Sequence, residues 1–306
     1  MIRYLNRKDI DLKRWDKIIR SSPYATFYAF SWYLDAAAEN WSALIYGDYR
    51  YIMPLTWKKR FGFHYLYQPL FTQQLGVFST EIVPPDVVRE FLLAIPKKFR
   101  FGDQQFNTGN LLGEEEGFEV SDRVNYELRL DKNYHYLYSD FSENSRRNLR
   151  KAYSAGLELR YDTGMNEIIH FKKNLSQINW PEEHYFRIRD LFTTLAAEEK
   201  VQILSTHLNG KICAAALFGI CDNRAVYLYS ASDDTGKETR AMFLIIDQFI
   251  RDNEEKDMIL DFEGSSIPSI ARFFAGFGAK PAIYQQVSYT RLPGYMNKFK
   301  KHAGNR

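Results

Sequence analysis

Two carboxylates one residue apart, Asp261 and Glu263, close an apolar run in "LDFEGSSIPSIARFFAGFGAKP" (260–281). Residues i and i+2 of a strand face the same side. A carboxylate at the open end of a strand suits the work of a general base, taking a proton from a substrate group. Asp261 and Glu263 are therefore the candidate catalytic residues. Glu263 equally suits capping of backbone donors or pairing with a cation, and both readings stand. Ser265 and Ser266 precede Pro268, a residue type favoured at the first helical position. One of the two serines is expected to be the helix N-cap. A helix start also attracts anions, which adds Ser265 to the substrate-binding candidates.

The basic candidates form two groups. Arg146 and Arg150, like Arg147 and Lys151, are four residues apart in "ENSRRNLRKA", so a helix there carries one basic stripe. Such a stripe either holds phosphates or is a solvated face paired with acids. Lys58, Lys59 and Arg60 follow a strand of the first half. Lys59 and Arg60 are candidates for a substrate diphosphate, or charges that discourage edge pairing. Gln73 and Gln74, in "FTQQLG", offer polar contacts to substrate, and one of them is expected to face the core with its hydrogen bonds made.

Several chemistries find no support in the sequence. The six histidines are scattered without metal-ligand spacing, and neither a G-x-S-x-G elbow nor a P-loop occurs. No metal is expected. The net charge of +3 is too small to argue for nucleic-acid binding alone. Aromatic residues make up 16%, a surplus that serves either the core or a groove. Cys213 and Cys221 lie eight residues apart on one expected strand, roughly 26 Å along it, too far for a disulfide and in keeping with a reducing compartment. "MIRYLNRKDIDLKRW" has no apolar core of a secretory signal, and "ICAAALFGIC" is too short to span a bilayer. The expectation is a cytoplasmic protein without a membrane span.

The elements that must carry these residues occur twice. Trp41–Gly76 reads as three strands with a turn at Gly47-Asp48. Residues 201–234 read the same way, with turns at Asn209-Gly210 and Asp222-Asn223. Helical periodicity follows each, over 84–99 and 239–253. Short strands come next ("RFGDQQFN", "DMILDFEG"), and "VNYELRL" (124–130) and "VSYTRL" (287–292) close the halves. Between the halves the pattern predicts one helix over 134–156 ending at Gly156, a strand at "LELRYDT", and a helix over 181–200. The expected fold class is α/β: two tandem domains, 1–132 and 133–306, each a mixed, mostly antiparallel sheet flanked by helices.

This order of elements resembles the GNAT superfamily of acyl-CoA-dependent N-acyltransferases, and "SIARFFAGFGAKP" is similar to its A-x-x-F-Y-x-x-x-G-F segment. Two such units in tandem resemble the Fem-type aminoacyltransferases, which attach amino acids from aminoacyl-tRNA to the peptide of a peptidoglycan precursor. "ENSRRNLRKA", "PLFTQQLG" and "FFAGFGA" carry that likeness. The resemblance implies a bacterial acyl- or aminoacyltransferase. Its donor would be an acyl thioester or aminoacyl-tRNA, and its acceptor an amine-bearing small molecule or a peptidoglycan precursor. It also implies a slot for the donor between "AVYLYSASD" and "MILDFEG".

The pyrophosphate-loop pattern R/Q-x-x-G-x-G/A falls on "GKETRA". Thr239, Arg240 and Ala241 thereby become the cofactor-binding candidates. Gly236 and Thr239 depart from the pattern, and that argues against acyl-CoA. Phe274 stands where the superfamily has a proton-donating tyrosine and Fem-type enzymes tend to have lysine. The alternative function is therefore a degenerate, non-catalytic GNAT-like binding or scaffold protein. The sequence leaves the oligomeric state open.

Overall fold

The computed structural model describes residues 1–60, 62–175, 180–264 and 267–292. They form two compact units: Met1–Arg123 together with the chain from Ile283 onward, and Val124–Ala282.

The first unit contains β1 (Ile2–Asn6), α1 (Leu12–Arg20), α2 (Ser31–Ala37), β2 (Asn40–Tyr46), β3 (Tyr51–Arg60), β4 (Phe63–Leu66), α3 (Pro85–Leu93), β5 (Phe99–Phe106) and the start of β6 (Glu119–Arg129). β2, β3 and β4 are the expected antiparallel meander, and β5 runs parallel to β4. α3 is shorter than its periodicity suggested. It ends at Leu93, three residues before Pro96, whose ring disfavours helical backbone in the residue before it. α3 buries Val88, Phe91 and Leu92 at helical spacing against the sheet.

The second unit contains α4 (Tyr134–Ser139), α5 (Glu143–Ser154), β7 (Glu158–Arg160), α6 (Met165–Leu175), α7 (Glu182–Glu198), β8 (Lys200–Leu208), β9 (Lys211–Cys221), β10 (Arg224–Ser232), α8 (Asp234–Thr239), α9 (Ala241–Asp252), β11 (Ile259–Asp261) and α10 (Pro268–Ala275). β12 (Lys280–Thr290) begins here and continues into the first unit. β8, β9 and β10 form the second meander, and β11 runs parallel to β10. The one helix expected over 134–156 is two. Ser142 caps α5 by accepting from the Ser145 amide, and its own amide donates to the Gly276 carbonyl, so the chain turns there. α9 buries Ile245, Ile246, Phe249 and Ile250, and Phe249 stacks on Phe218 of β9 at 3.8 Å. Burying one such side chain contributes about 1.5–3 kcal/mol.

The closing strands are exchanged between the repeated halves of the sequence. β5 takes β12 as its antiparallel neighbour, Phe106 opposite Gln285, whereas β11 takes β6, Ile259 opposite Arg129. The compact units therefore differ from the division 1–132 and 133–306, which follows the order of the repeat along the chain. Cys213 and Cys221 are both buried free thiols on β9. No helix among the described residues is long and apolar enough to cross a membrane.

Candidate functional site

β10 and β11 pair for three residues only, from Arg224 opposite Ile259 to Val226 opposite Asp261. A bulge between Tyr227 and Tyr229 then bends β10 as it continues along β9. Among the described residues no backbone hydrogen bond joins Tyr227–Ser232 to Phe262–Gly264, so the parallel strands part where the donor slot was expected. The first unit differs at the matching place. β4 and β5 end their pairing at Leu66 opposite Gly102, and the following loop then takes up the groups of β5. Gln68 Oε1 accepts from the Gln105 amide at 3.0 Å, and the Leu75 amide donates to the Gln105 carbonyl at 2.8 Å.

Asp261 lies at the floor of the divergence, 1% exposed. One carboxylate oxygen accepts from Asn125 Nδ2 and from the Glu263 amide, both at 2.9 Å. The other accepts from an Arg224 guanidinium nitrogen at 2.7 Å, and the same nitrogen donates to Glu127 at 2.8 Å. Burial opposes the charge on Arg224, but Asp261 and Glu127 outweigh it and hold its pKa above the ordinary arginine value. Both oxygens of Asp261 are thus engaged, which suits an anchor that sets the course of the chain at Glu263.

Beyond that anchor the backbone leaves the strand abruptly. Glu263 and Gly264 both have positive φ, 57° and 59°. A Cβ at Gly264 would collide with the Val124 carbonyl, so glycine is required there. A non-glycine residue in the left-handed region stores strain, a feature that clusters at functional sites. The turn also means that Glu263 does not continue the alternation that put it on the same face as Asp261.

Lys172 of α6 reaches the same place. Its ammonium sits 4.0 Å over the ring of Tyr229, whose edge meets Phe192 of α7. Burial pushes the Lys172 pKa below the usual lysine value, and the Glu263 carboxylate opposes that shift. Arg224, Asn125, Lys172 and Tyr229 escaped sequence reasoning. Lys172 lies in "NEIIHFKKN", where no element was read, and the groups that act on it come from β10 and the turn after β11.

"GKETRA" is not an open loop. Residues 236–239 belong to α8, capped by Asp233, whose carboxylate accepts from the Gly236 amide at 2.7 Å. The Thr239 hydroxyl donates to the Thr235 carbonyl at 2.7 Å, Arg240 donates to the Lys237 carbonyl, and Ala241 is fully buried. A Cβ at Gly236 would strike the Cys213 carbonyl, so neither Arg nor Gln fits there while α8 packs on β9. Asp233 and Asp234 add negative charge, and these residues do not fit a pyrophosphate. Phe274 is buried, stacked on Phe262 at 4.7 Å and edge-on to Tyr227. Tyr227 donates to Met242 Sδ, and burial pushes its pKa up to about 12.

The basic stripe splits. Arg146 is half-buried and donates to the Tyr138 and Ser139 carbonyls at the end of α4. Arg147, Arg150 and Lys151 are exposed; Arg147 donates to Asn144 and Arg150 to Glu143. Lys59 and Arg60 are exposed at the end of β3. Gln74 is buried and donates to Gln73 Oε1 at 2.9 Å. Ser265 and Ser266 lie outside the described residues. The N-cap of α10 is Ile267 rather than either serine, and Pro268 starts the helix directly after it. Among the described residues no group of three or more His, Cys, Asp or Glu side chains could hold a metal.

Residues 139–265 match the family model described as an acetyltransferase (GNAT) domain. The structure titled as FemX is similar, with a TM-score of 0.65 and 12% identity over 97% of this chain and 99% of that one. A tandem GNAT protein from the clavulanic acid biosynthesis pathway gives 0.59 and 11% over 96% and 100%. A conserved protein of unknown function from Bacteroides thetaiotaomicron gives 0.59 and 14% over 95% and 100%. At such identities the likeness speaks for the fold. None of the curated proteins matches the chain by sequence.

Proposed function

For a chain with the GNAT fold, similar in fold to the Fem-type proteins, we propose acyl or aminoacyl transfer to an amine, carried out in the second unit. The observation that carries this reading is the parting of β10 and β11 after Val226 and Asp261, with Glu263 at its edge. Glu263 takes the proton of the acceptor amine as its nitrogen attacks the donor carbonyl. Asp261 holds the Glu263 amide and so fixes the turn. In the first unit the matching divergence is filled by the loop after β4, which favours a supporting role for that copy.

The donor we favour is an ester of the aminoacyl-tRNA kind rather than acyl-CoA. The internal bonding of residues 236–241 and the carboxylates beside them argue against a CoA pyrophosphate. Arg147, Arg150 and Lys151 suit phosphates of a tRNA or a nucleotide-linked cell-wall precursor. We assign the reaction to the cytoplasm, in keeping with two uncrosslinked thiols.

The test is amide formation by the parent and by Glu263→Gln, using acetyl-CoA and aminoacyl esters against amine acceptors. Parent turnover that falls roughly 10²- to 10⁴-fold in Glu263→Gln supports the reading; equal rates remove Glu263 as base. The scaffold reading draws on Phe274, which has no proton to give. It predicts bound ligand without product from the parent.

A further inference from the structure

The same reaction needs a second proton movement. When the tetrahedral intermediate collapses, the oxygen that leaves the acyl carbon must be protonated or otherwise stabilised. Phe274 supplies nothing, and Asp261 is fully engaged below the divergence. Resting on the acyl-transfer reading, we propose that Lys172 is the catalytic acid, donating from its ammonium to the leaving oxygen of an ester donor while Glu263 receives the proton of the acceptor amine.

The placement of Lys172 is unusual for a lysine. Its stem is part-buried on α6, and its ammonium rests on an aromatic face. That face belongs to Tyr229, on the stretch of β10 beyond its last pair with β11. The ammonium meets Tyr229 of β10, which Phe192 of α7 backs edge-on, and it feels the charge of Glu263 from the turn after β11. A cation over an aromatic ring keeps part of its stabilisation away from water. Burial makes the ammonium a stronger acid than a surface lysine, and the Glu263 carboxylate offsets part of that shift.

The balance closes. A C–N bond forms between acceptor and acyl carbon, and the C–O bond of the ester breaks. The amine gives one proton to Glu263, and Lys172 gives one to the leaving alkoxide. The pair is left as carboxylic acid and free amine. Transfer of the proton from Glu263 to Lys172 restores both, with the donor ester as the only co-reactant.

Two measurements decide the matter. The first needs no substrate: acetic anhydride labels amines competitively over a pH series, and mass spectrometry reads each lysine. Lys172 is expected to titrate below the exposed lysines, and lower still in Glu263→Gln. A Lys172 indistinguishable from them, or indifferent to Glu263→Gln, overturns the proposal. The second compares two donors, the alanyl ester of adenosine and the p-nitrophenyl ester of alanine, with a lysine-containing tripeptide as acceptor. The activated ester needs no acid.

Lys172→Met is expected to lose roughly 10²- to 10⁴-fold on the adenosine ester and far less on the activated one. Equal losses on both, or none, defeat Lys172 as acid while leaving acyl transfer in place. A parent inert on both donors defeats acyl transfer itself. Lys172→Cys alkylated with 2-bromoethylamine rebuilds the ammonium and should restore the rate; Cys213 and Cys221 are buried against the reagent. Failure of that rescue in a folded protein also counts against the proposal.

Discussion

Replacing Asp261 with Asn tests whether the buried carboxylate is an anchor. It keeps the shape and removes the charge. Two charges about 4 Å apart interact by about 4 kcal/mol at an effective dielectric near 20. Removing one partner of a buried pair costs about 3–5 kcal/mol, because the other is stranded. Here Arg224 keeps Glu127 on the same nitrogen at 2.8 Å, so the lower end applies, about 3 kcal/mol. The amide also cannot accept at both ends, so either the bond from Arg224 or the two from Asn125 and the Glu263 amide are lost.

Urea unfolding followed by circular dichroism measures the loss. The same change in a Glu127→Gln background should cost more than in the parent, since Arg224 then has no anion left. Turnover should fall as the Glu263 turn loosens, with an unchanged pH profile, because Asp261 does not itself carry the proton. A stability loss below about 1 kcal/mol, or a pH profile that moves, would refute the anchor.

Phe274→Ala should cost about 3–5 kcal/mol, since the ring is buried among Phe262, Tyr227 and Tyr126; a loss near zero by the same unfolding assay would place it at the surface. Arg147→Ala with Arg150→Ala should flatten the salt dependence of nucleotide or tRNA binding while stability changes by less than about 1 kcal/mol, because both side chains are exposed. Unaltered binding would mark the stripe as a solvated face. Acetyl-CoA should bind more weakly than micromolar in calorimetry, and micromolar affinity would show that α8 opens to admit a pyrophosphate. Lys172→Met should raise stability at neutral pH. The parent buries a charged ammonium there, and its stability rises as pH climbs from the lowered folded value toward the ordinary lysine value. A parent and variant with parallel pH–stability curves would contradict this.

Much of the architecture was legible because the repeat is written in short-range signals. Asn209-Gly210 forms its turn with both residues at positive φ, and the alternating and helical periods locate the meanders and α9. The parting of β10 and β11, where the resemblance set a donor slot, was legible as well. The break of one helix into α4 and α5 was not, since the chain turns at Ser142 where its amide donates to the distant Gly276 carbonyl. Asp261 read as chemistry because its sequence neighbours could not reveal Arg224, Asn125 or Glu127. Lys172 was invisible for the same reason: a lysine beside another lysine looks solvated until Tyr229 is folded against it.

The exchange of closing strands sets the order of events during synthesis. β5 leaves the ribosome early, but its partner β12 follows only after almost the whole second unit, and the Gln285 side chain meets the Leu112 backbone 173 residues away. At 5–20 residues per second, β5 waits roughly 10–35 s with an unpaired edge. β11 waits far less, because β6 is made before it. The second unit can therefore complete its sheet first, and the first unit, whose sheet waits on a distant pairing, is the slower, more aggregation-prone partner. A cut at residue 132 would leave β5 without its neighbour in one fragment and β11 without its neighbour in the other. The repeated halves, although each reads as a domain, are obliged to fold as one chain.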